Sequence, residues 1–341
     1  MAEKILLIGG SLNQTTMMHQ IASHLNEYDC YFTPFYADGM IGILSKLHLL
    51  DFSILGGNHR KATMKFLEEN NLQIDIGGKS HKYDAVITGT DLLVQNNIHG
   101  KKIILVQEGM TEREDFMFTL VKHLKFPRFL ANTAATGLSD DYDVFCVASK
   151  GYRDLFVQKG ARADKLIVTG IPNFDHAEQY MENTFPYHDY VLVATSSIRE
   201  TGKFDFRIQF LEEVQRIAGD REVIFKLHPN ENHKRAVKEI RKIFPTSKIY
   251  TGANINDMIA NCEVLITQYT SAVYIGLALG KKVHSYFDVN ELSQLLPVQN
   301  KGKSSQWIAT IVKATINTPL PELRHAAKRQ RWITQHTPSD L

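Results

Sequence analysis

The sequence predicts an α/β protein of two doubly wound, Rossmann-like domains facing a central cleft. Three observations predict it. Short apolar runs alternate with helical patterns along most of the chain, the mark of βαβ units and a parallel sheet. That series breaks once, at the polar and weakly patterned stretch 174–189, and then starts afresh. The length of 341 residues, 43% of them hydrophobic, suits two domains with cores of their own.

In the first half the strand-like runs fall at 4–8, 30–35, 85–88, 103–106, 144–147 and 166–169, with helical patterns such as 14–25 and 59–69 between them. In the second half they fall at 190–195, 223–227, 248–250, 264–267 and 282–286. Helical patterns lie between these at 204–218, 233–244, 255–260 and 271–279. The expected domains are therefore 1–175 and 190–320, followed by a C-terminal helix and tail at 321–341. The tail pattern is helical and basic. It reads as a surface helix with a solvated face, or as a contact for an anionic membrane surface.

Composition excludes several classes. A net charge of +2 gives no electrostatic footprint for nucleic acid. Cys30, Cys146 and Cys262 are isolated in apolar runs, so they read as buried free thiols in a reducing, cytoplasmic setting. The opening MAEKILLIGG reads as a first strand rather than a signal peptide. No apolar run reaches the ~18 residues of a membrane span. Gly9-Gly10-Ser11 is not a GxGxxG fingerprint, which argues against a dinucleotide-dependent dehydrogenase. Its small residues would let a sugar or phosphate approach the backbone closely.

The chemistry concentrates at strand ends. In a parallel sheet the carboxyl ends face a common crevice, where ligands bind. The run 223–227 ends in His228-Pro229-Asn230, and the run 264–267 leads to Thr270-Ser271. Each cluster precedes a helical pattern, whose free N–H groups and positive dipole end attract phosphate. The two clusters thus read as half of a nucleotide-diphosphate site. Thr270 and Ser271 are also ordinary N-cap residues, and the two roles are compatible. Lys226 precedes His228 by two residues and would pair with phosphate or with Glu231. Arg199, with its planar donor fork, reads as a diphosphate ligand, and Ser196 and Ser197 would add hydroxyls and N–H groups. Glu108 ends the run 103–106 before Gly109, which is a poor place for a structural carboxylate. It reads as a general base or acceptor ligand. Asp91 reads as a second acid/base candidate or as a helix cap. The stretch 116–130, FMFTLVKHLKFPRFL, is apolar and aromatic with Lys122, His123, Lys125 and Arg128 in it. It reads as a core helix or as a membrane-surface or lipid-acceptor patch.

Several segments, in order, carry a resemblance. Gly9-Gly10-Ser11 with Gln14 and Met17, the stretch 83–91 (YDAVITGTD), Val106-Gln107-Glu108-Gly109-Met110, and KLIVTGIPNFD at 165–175 resemble the corresponding segments of the UDP-N-acetylglucosamine 2-epimerases. These belong to the GT-B superfamily of nucleotide-sugar enzymes. The departures also matter. Ser196-Ser197-Ile198-Arg199-Glu200-Thr201 stands where the epimerases carry a His-Arg-Arg-Glu-Asn-like stretch, without the histidine. Tyr269-Thr270-Ser271-Ala272 stands in place of their Ser-Gly-Gly. The Lys-x-His-Pro element at 226–229 and the later Thr270-Ser271 pair are instead similar to GT-B transferases of bacterial surface glycans, in which the His and hydroxyls hold the nucleotide phosphates.

The resemblance implies a metal-independent glycosyltransferase without cofactor. The second domain would take the nucleotide-sugar donor (UDP- favoured, CMP- or CDP- as alternatives) through His228, Asn230, Thr270, Ser271, Arg199, Ser196, Ser197 and Lys226. The first would take a glycan or lipid-linked acceptor, with Glu108 and Asp91 catalytic and Gly10 and Ser11 near the donor phosphate or acceptor. The expected location is cytoplasmic or peripheral on the inner face of the membrane, with no nucleic-acid partner. An epimerase and a non-catalytic nucleotide-sugar-binding module are the alternatives.

Overall fold

The computed structural model describes residues 2–338 except 52, 125, 202 and 203, and residue 201 only in its backbone. The chain forms two compact units, Met1–Asp175 with Gly302–Leu341, and His176–Lys301.

The first unit holds β1 (Lys4–Gly9), α1 (Leu12–Ala22), β2 (Asp29–Pro34), α2 (Gly39–Lys46), α3 (Gly57–Glu69), β3 (Ala85–Thr88), β4 (Lys102–Val106), α4 (Phe116–Leu124), β5 (Val144–Val147), α5 (Lys150–Lys159) and β6 (Leu166–Val168). Its six strands run in the order β2-β1-β3-β4-β5-β6, with every pairing parallel. The order reverses between β1 and β3, which makes their carboxyl ends the switch point where a doubly wound sheet opens a crevice. β3 and β5 are buried at every residue, as a sheet covered on both faces requires.

The second unit holds β7 (Val191–Ala194), α6 (Arg207–Ala218), β8 (Val223–Lys226), α7 (His233–Ile243), β9 (Lys248–Tyr250), α8 (Ile255–Asn261), β10 (Val264–Thr267), α9 (Val273–Ala278), β11 (Lys282–Ser285) and α10 (Val289–Leu295). Its parallel order is β11-β10-β7-β8-β9, with the switch point between β7 and β10. Phe210, Leu211 and Val214 of α6 and Ala236 and Ile240 of α7 pack on the buried faces of β7, β8 and β10.

The chain then returns to the first unit with α11 (Ser304–Asn317), α12 (Leu320–Arg324) and α13 (Ala326–His336). This corrects the expected boundaries. Residues 302–320, assigned from the sequence to the second domain, lay Ile308, Ile311, Val312 and Ile316 into the first unit's core beside Met17, Met18 and Ile104. The Ser304 N–H donates to Asp175 (2.9 Å), and Lys102 donates to the Ile316 carbonyl. The tail is also more than a solvated helix. Trp332 and Ile333 join the same core, and the fully buried Arg329 donates to the Leu323 carbonyl (2.8 Å) and to the Asp164 carboxylate. The expected linker divides instead, since His176 onward belongs to the second unit, where the Ala177 N–H donates to Gln299 (3.0 Å).

Cys146 and Cys262 are buried and Cys30 half-buried, and burial pushes all three thiols up to about 12. Among the described residues no helix is long and apolar enough to cross a membrane.

Candidate functional site

In the first unit, the turn from β1 into α1 is tied to the end of β4. Ser11 caps α1, accepting from the Gln14 N–H at 3.1 Å. Its hydroxyl donates to Glu108 Oε1 at 2.7 Å, while Gln14 Nε2 donates to Glu108 Oε2 at 2.7 Å. Gln14 is held in turn by the Gly10 N–H, which donates to its Oε1 at 2.8 Å. Below the carboxylate, the Glu108 carbonyl accepts from Asn173 at 3.1 Å, on the loop after β6. Gln107 fixes the backbone on both sides: its Oε1 accepts from the Ala148 N–H (2.9 Å) and its Nε2 donates to the Gly109 carbonyl (2.8 Å). Glu108 is therefore a half-buried carboxylate with a defined orientation, and each oxygen keeps a lone pair for an incoming hydroxyl.

Two expectations on this edge change. The small residues Gly9 and Gly10 are buried and make room for the chain's own α1. A Cβ on Gly9 would sit 2.5 Å from Thr15 Oγ1, and one on Gly10 would sit 2.6 Å from Gln14 Oε1 and 2.9 Å from Ile54 Cδ1. The space read as access for a ligand at Gly10 is thus filled from within. Asp91 is buried, and its two oxygens accept from the Gly137 (2.9 Å) and Ser139 (3.0 Å) N–H groups. Burial raises its pKa, yet the carboxyl braces the loop at 137–139 rather than meeting solvent, and it caps no helix.

In the second unit, three strand ends converge on a buried polar network. At the switch point, Ser196 after β7 donates to Gln268 Oε1 after β10 at 2.9 Å. Gln268 donates onward to Asp205 at 2.8 Å. Asp205 accepts from Arg207 and Arg199, each at 3.1 Å. The buried Arg207 also donates to Glu231 at 2.6 Å, and Glu231 accepts from the Thr195 hydroxyl at 2.5 Å. Thr195 Oγ1 completes the chain by accepting from the His228 N–H at 3.2 Å. A buried ion pair needs such additional hydrogen bonds to offset its desolvation. Burial opposes ionisation of Asp205, but Gln268 and the two arginines hold its carboxyl below the usual range.

His228 stands on this network. Its carbonyl contacts His233 Nε2 (3.1 Å), and its Nδ1 accepts from the Asn230 N–H at 3.1 Å. An Nδ1 that accepts places the proton of the neutral ring on Nε2. Burial lowers the His228 pKa below its ordinary 6.5, so the neutral form prevails at pH 7. Nε2–H is left as a donor with no partner among the described residues. The hydroxyls of Ser197 and Ser271 likewise have none, and Ser271 is exposed. Asn230 contributes through its backbone.

The lowered pKa has a consequence for stability. The unfolded imidazole takes up its proton near pH 6.5, before the folded one does. The contribution is therefore present above pH 6.5 and lost as pH falls from there through the folded value. His228→Asn is expected to be less acid-sensitive than the parent in this window, which urea titrations at successive pH values would check.

Other sequence-assigned donor ligands hold structural partners. Arg199 places both terminal nitrogens on Glu239 (2.9 and 2.7 Å) and its Nε on Asp205, so its fork is closed by carboxylates. The bond to Glu239 raises its pKa further. Lys226 is buried, and its ammonium donates to the Leu227 (2.9 Å) and Thr251 (3.2 Å) carbonyls, joining the ends of β8 and β9 rather than meeting phosphate or Glu231. Thr270 Oγ1 accepts from the Ala272 N–H at 3.3 Å, and α9 begins at Val273 with six residues. So short a helix offers little dipole, and any anion hold here must come from the hydroxyls.

Sequence reading does not single out Asp205, Arg207, Glu239 or Gln268, and it names Glu231 only as a partner for Lys226. Asp205 and Arg207 open the helical pattern 204–218 with no local sign of a partner, and their partners are 63 and 24 residues away. Gln14 was noticed only as part of a turn. Among the described residues, no three His, Cys, Asp or Glu side chains are grouped so as to hold a metal ion.

No protein-family model and no curated protein sequence matches the chain. Solved structures do. A Listeria monocytogenes protein named as a candidate UDP-N-acetylglucosamine 2-epimerase aligns at TM-score 0.58 and 12% identity, over 93% of this chain and 97% of its own. The Neisseria meningitidis UDP-GlcNAc 2-epimerase bound to UDP-GlcNAc aligns at 0.54 and 12%, over 91% and 100%. Anabaena HepE in complex with UDP aligns at 0.50 and 13%, over 98% and 95%. At such identities the likeness establishes architecture: over nearly its whole length, this chain has the two-unit α/β fold of the GT-B type.

Proposed function

We propose that the protein is a metal-independent GT-B glycosyltransferase, moving a sugar from a nucleotide-sugar donor to a glycan or lipid-linked acceptor. The observation that carries this reading is His228, a neutral imidazole fixed by the Asn230 N–H, whose Nε2–H stands unpartnered at a strand end. In this reading the second unit binds the donor. Nε2–H donates to the diphosphate, and the Ser271 and Ser197 hydroxyls add donors. As the bond from the anomeric carbon to the phosphate oxygen breaks, negative charge grows on the leaving diphosphate, and fixed donors aimed at it lower the barrier. The first unit serves the acceptor. The acceptor hydroxyl attacks the anomeric carbon, and its proton passes to Glu108, which Ser11 and Gln14 hold in place.

UDP is the favoured nucleotide, with CMP and CDP donors as alternatives. The Neisseria relative binds UDP-GlcNAc and HepE binds UDP, which supports UDP first. His228→Ala is expected to weaken UDP binding about 10- to 100-fold, the worth of one hydrogen bond to a charged group. Calorimetry without metal ions would measure it, and equal affinity in both proteins would refute the assignment.

The epimerase is the second reading, favoured by the Listeria and Neisseria alignments. Against it stand the missing histidine at 196–201 and the commitment of Arg199 to Asp205 and Glu239. Incubation with UDP-N-acetylglucosamine and no acceptor separates the two. The transferase leaves the sugar unepimerised, whereas N-acetylmannosamine, free or as its UDP form, would sink that reading.

A further inference from the structure

Half of the exposed large apolar side chains among the described residues fall in two short stretches of the first unit, 39–50 and 116–130. α2 buries none of its eight residues and exposes Met40 (76%) and Ile43, with the exposed Leu47 and Leu49 just beyond its end. The stretch 116–130, read from the sequence first as a core helix, buries only Phe118 and Val121 from α4. Phe116 (72%), Leu124, Phe126, Phe129 and Leu130 face outward. Both stretches leave the same edge of one sheet, following the carboxyl ends of β2 and β4. Those strands lie three places apart, about 14 Å at ~4.8 Å per strand. The loop after β3 fills the interval. Leu92 packs against the α4 cluster, while Gln95 donates to the Tyr36 carbonyl (2.7 Å) and the Asn96 N–H to Asp38 (2.6 Å) beside α2.

Charge selects the occupant. Neither stretch contains an acidic residue. They carry Lys46, Lys122 and Arg128, while Asp38 and Asp51 border the first stretch, Asp51 contacts His48 at 3.1 Å, and Lys125 lies outside the described residues. Arg128 is partly engaged, with Asp141 at 3.7 Å and the Asp91 carbonyl at 3.2 Å. Glu112, Glu114 and Asp115 precede α4, where Asp115 accepts from the Phe118 N–H (2.8 Å) and so stays at the helix start. Apolar side chains flanked by cations match the boundary between acyl chains and anionic headgroups. A neutral apolar partner would have no use for the cations.

We propose that the first unit docks on an anionic membrane surface through α2 and the α4 segment. This deepens the transferase reading, because it favours the lipid-linked class of acceptor, yet its test needs no turnover. The intact protein is sedimented with vesicles of phosphatidylcholine alone and of phosphatidylcholine containing phosphatidylglycerol. Binding is expected to be at least about tenfold tighter to the anionic vesicles at low salt and to weaken as salt is raised. Leu47→Glu and Leu124→Glu are each expected to reduce it about tenfold while leaving the melting temperature and UDP affinity unchanged. Absence of binding to either vesicle, or variants that bind as the parent does, would overturn the proposal. So would a dimer in sedimentation velocity that these substitutions dissolve without vesicle binding, since the face would then be an interface between copies. UDP affinity, read on the same samples, keeps failure of the donor assignment separate.

Discussion

Glu108→Gln is expected to lower turnover about 100- to 10,000-fold, the usual loss when a positioned general base is removed. Affinity for UDP should not move, because the substituted group lies in the first unit. The substitution keeps the shape of the side chain but replaces one acceptor oxygen with a donor. In the parent, Ser11 and Gln14 both donate to the carboxylate. The Ser11 hydroxyl can rotate to accept instead, so the fold should tolerate the change. The informative result is a fall in kcat at nearly constant KM for the donor. Gln14→Ala should produce a smaller fall of the same kind, since it removes one of the two groups that orient the carboxylate. Unchanged turnover in Glu108→Gln would place the base elsewhere.

Arg207→Ala should destabilise the second unit by about 3–5 kcal/mol, the cost of leaving the buried Glu231 carboxylate without its cation, whereas Asp205 keeps Arg199. Arg207 joins Asp205 to Glu231, and Glu231 reaches the His228 backbone through Thr195. Loss of the arginine therefore strikes stability and nucleotide binding together. Urea denaturation would give the first quantity and UDP titration of the folded fraction the second. Arg207→Ala together with Glu231→Leu should cost less than Arg207→Ala alone, because one stranded charge is removed. If the double variant is no more stable than the single, the pair is not the source of the effect.

The parallel sheets were legible because their strands are short apolar runs with turn residues behind them. β3, β5, β7 and β10 sit within a residue or two of the sequence expectation. The return of the chain was not legible. The pattern of α11 shows that one face is apolar, but nothing local says which sheet that face covers. His228 and Glu108 could be picked out because a polar group after a buried run must lie at a strand end. The partners of a cation are a different matter. Arg199 and Lys226 looked like phosphate ligands by residue type and place, yet Glu239 lies forty residues from the first, and the Thr251 carbonyl twenty-five from the second. Only the fold brings these groups together, so their competition with a ligand could not be read from the sequence.

The central claim is that the His228 imidazole receives a nucleotide diphosphate through Nε2–H. Long-range proton–nitrogen NMR of the imidazole rings, with and without UDP, tests it most directly. The expected spectrum of the free protein at pH 7 shows His228 neutral, with its proton on Nε2, and UDP shifts that nitrogen and proton strongly. A His228 ring protonated on Nδ1, or an Nε2 signal unmoved while UDP is bound, would contradict the account.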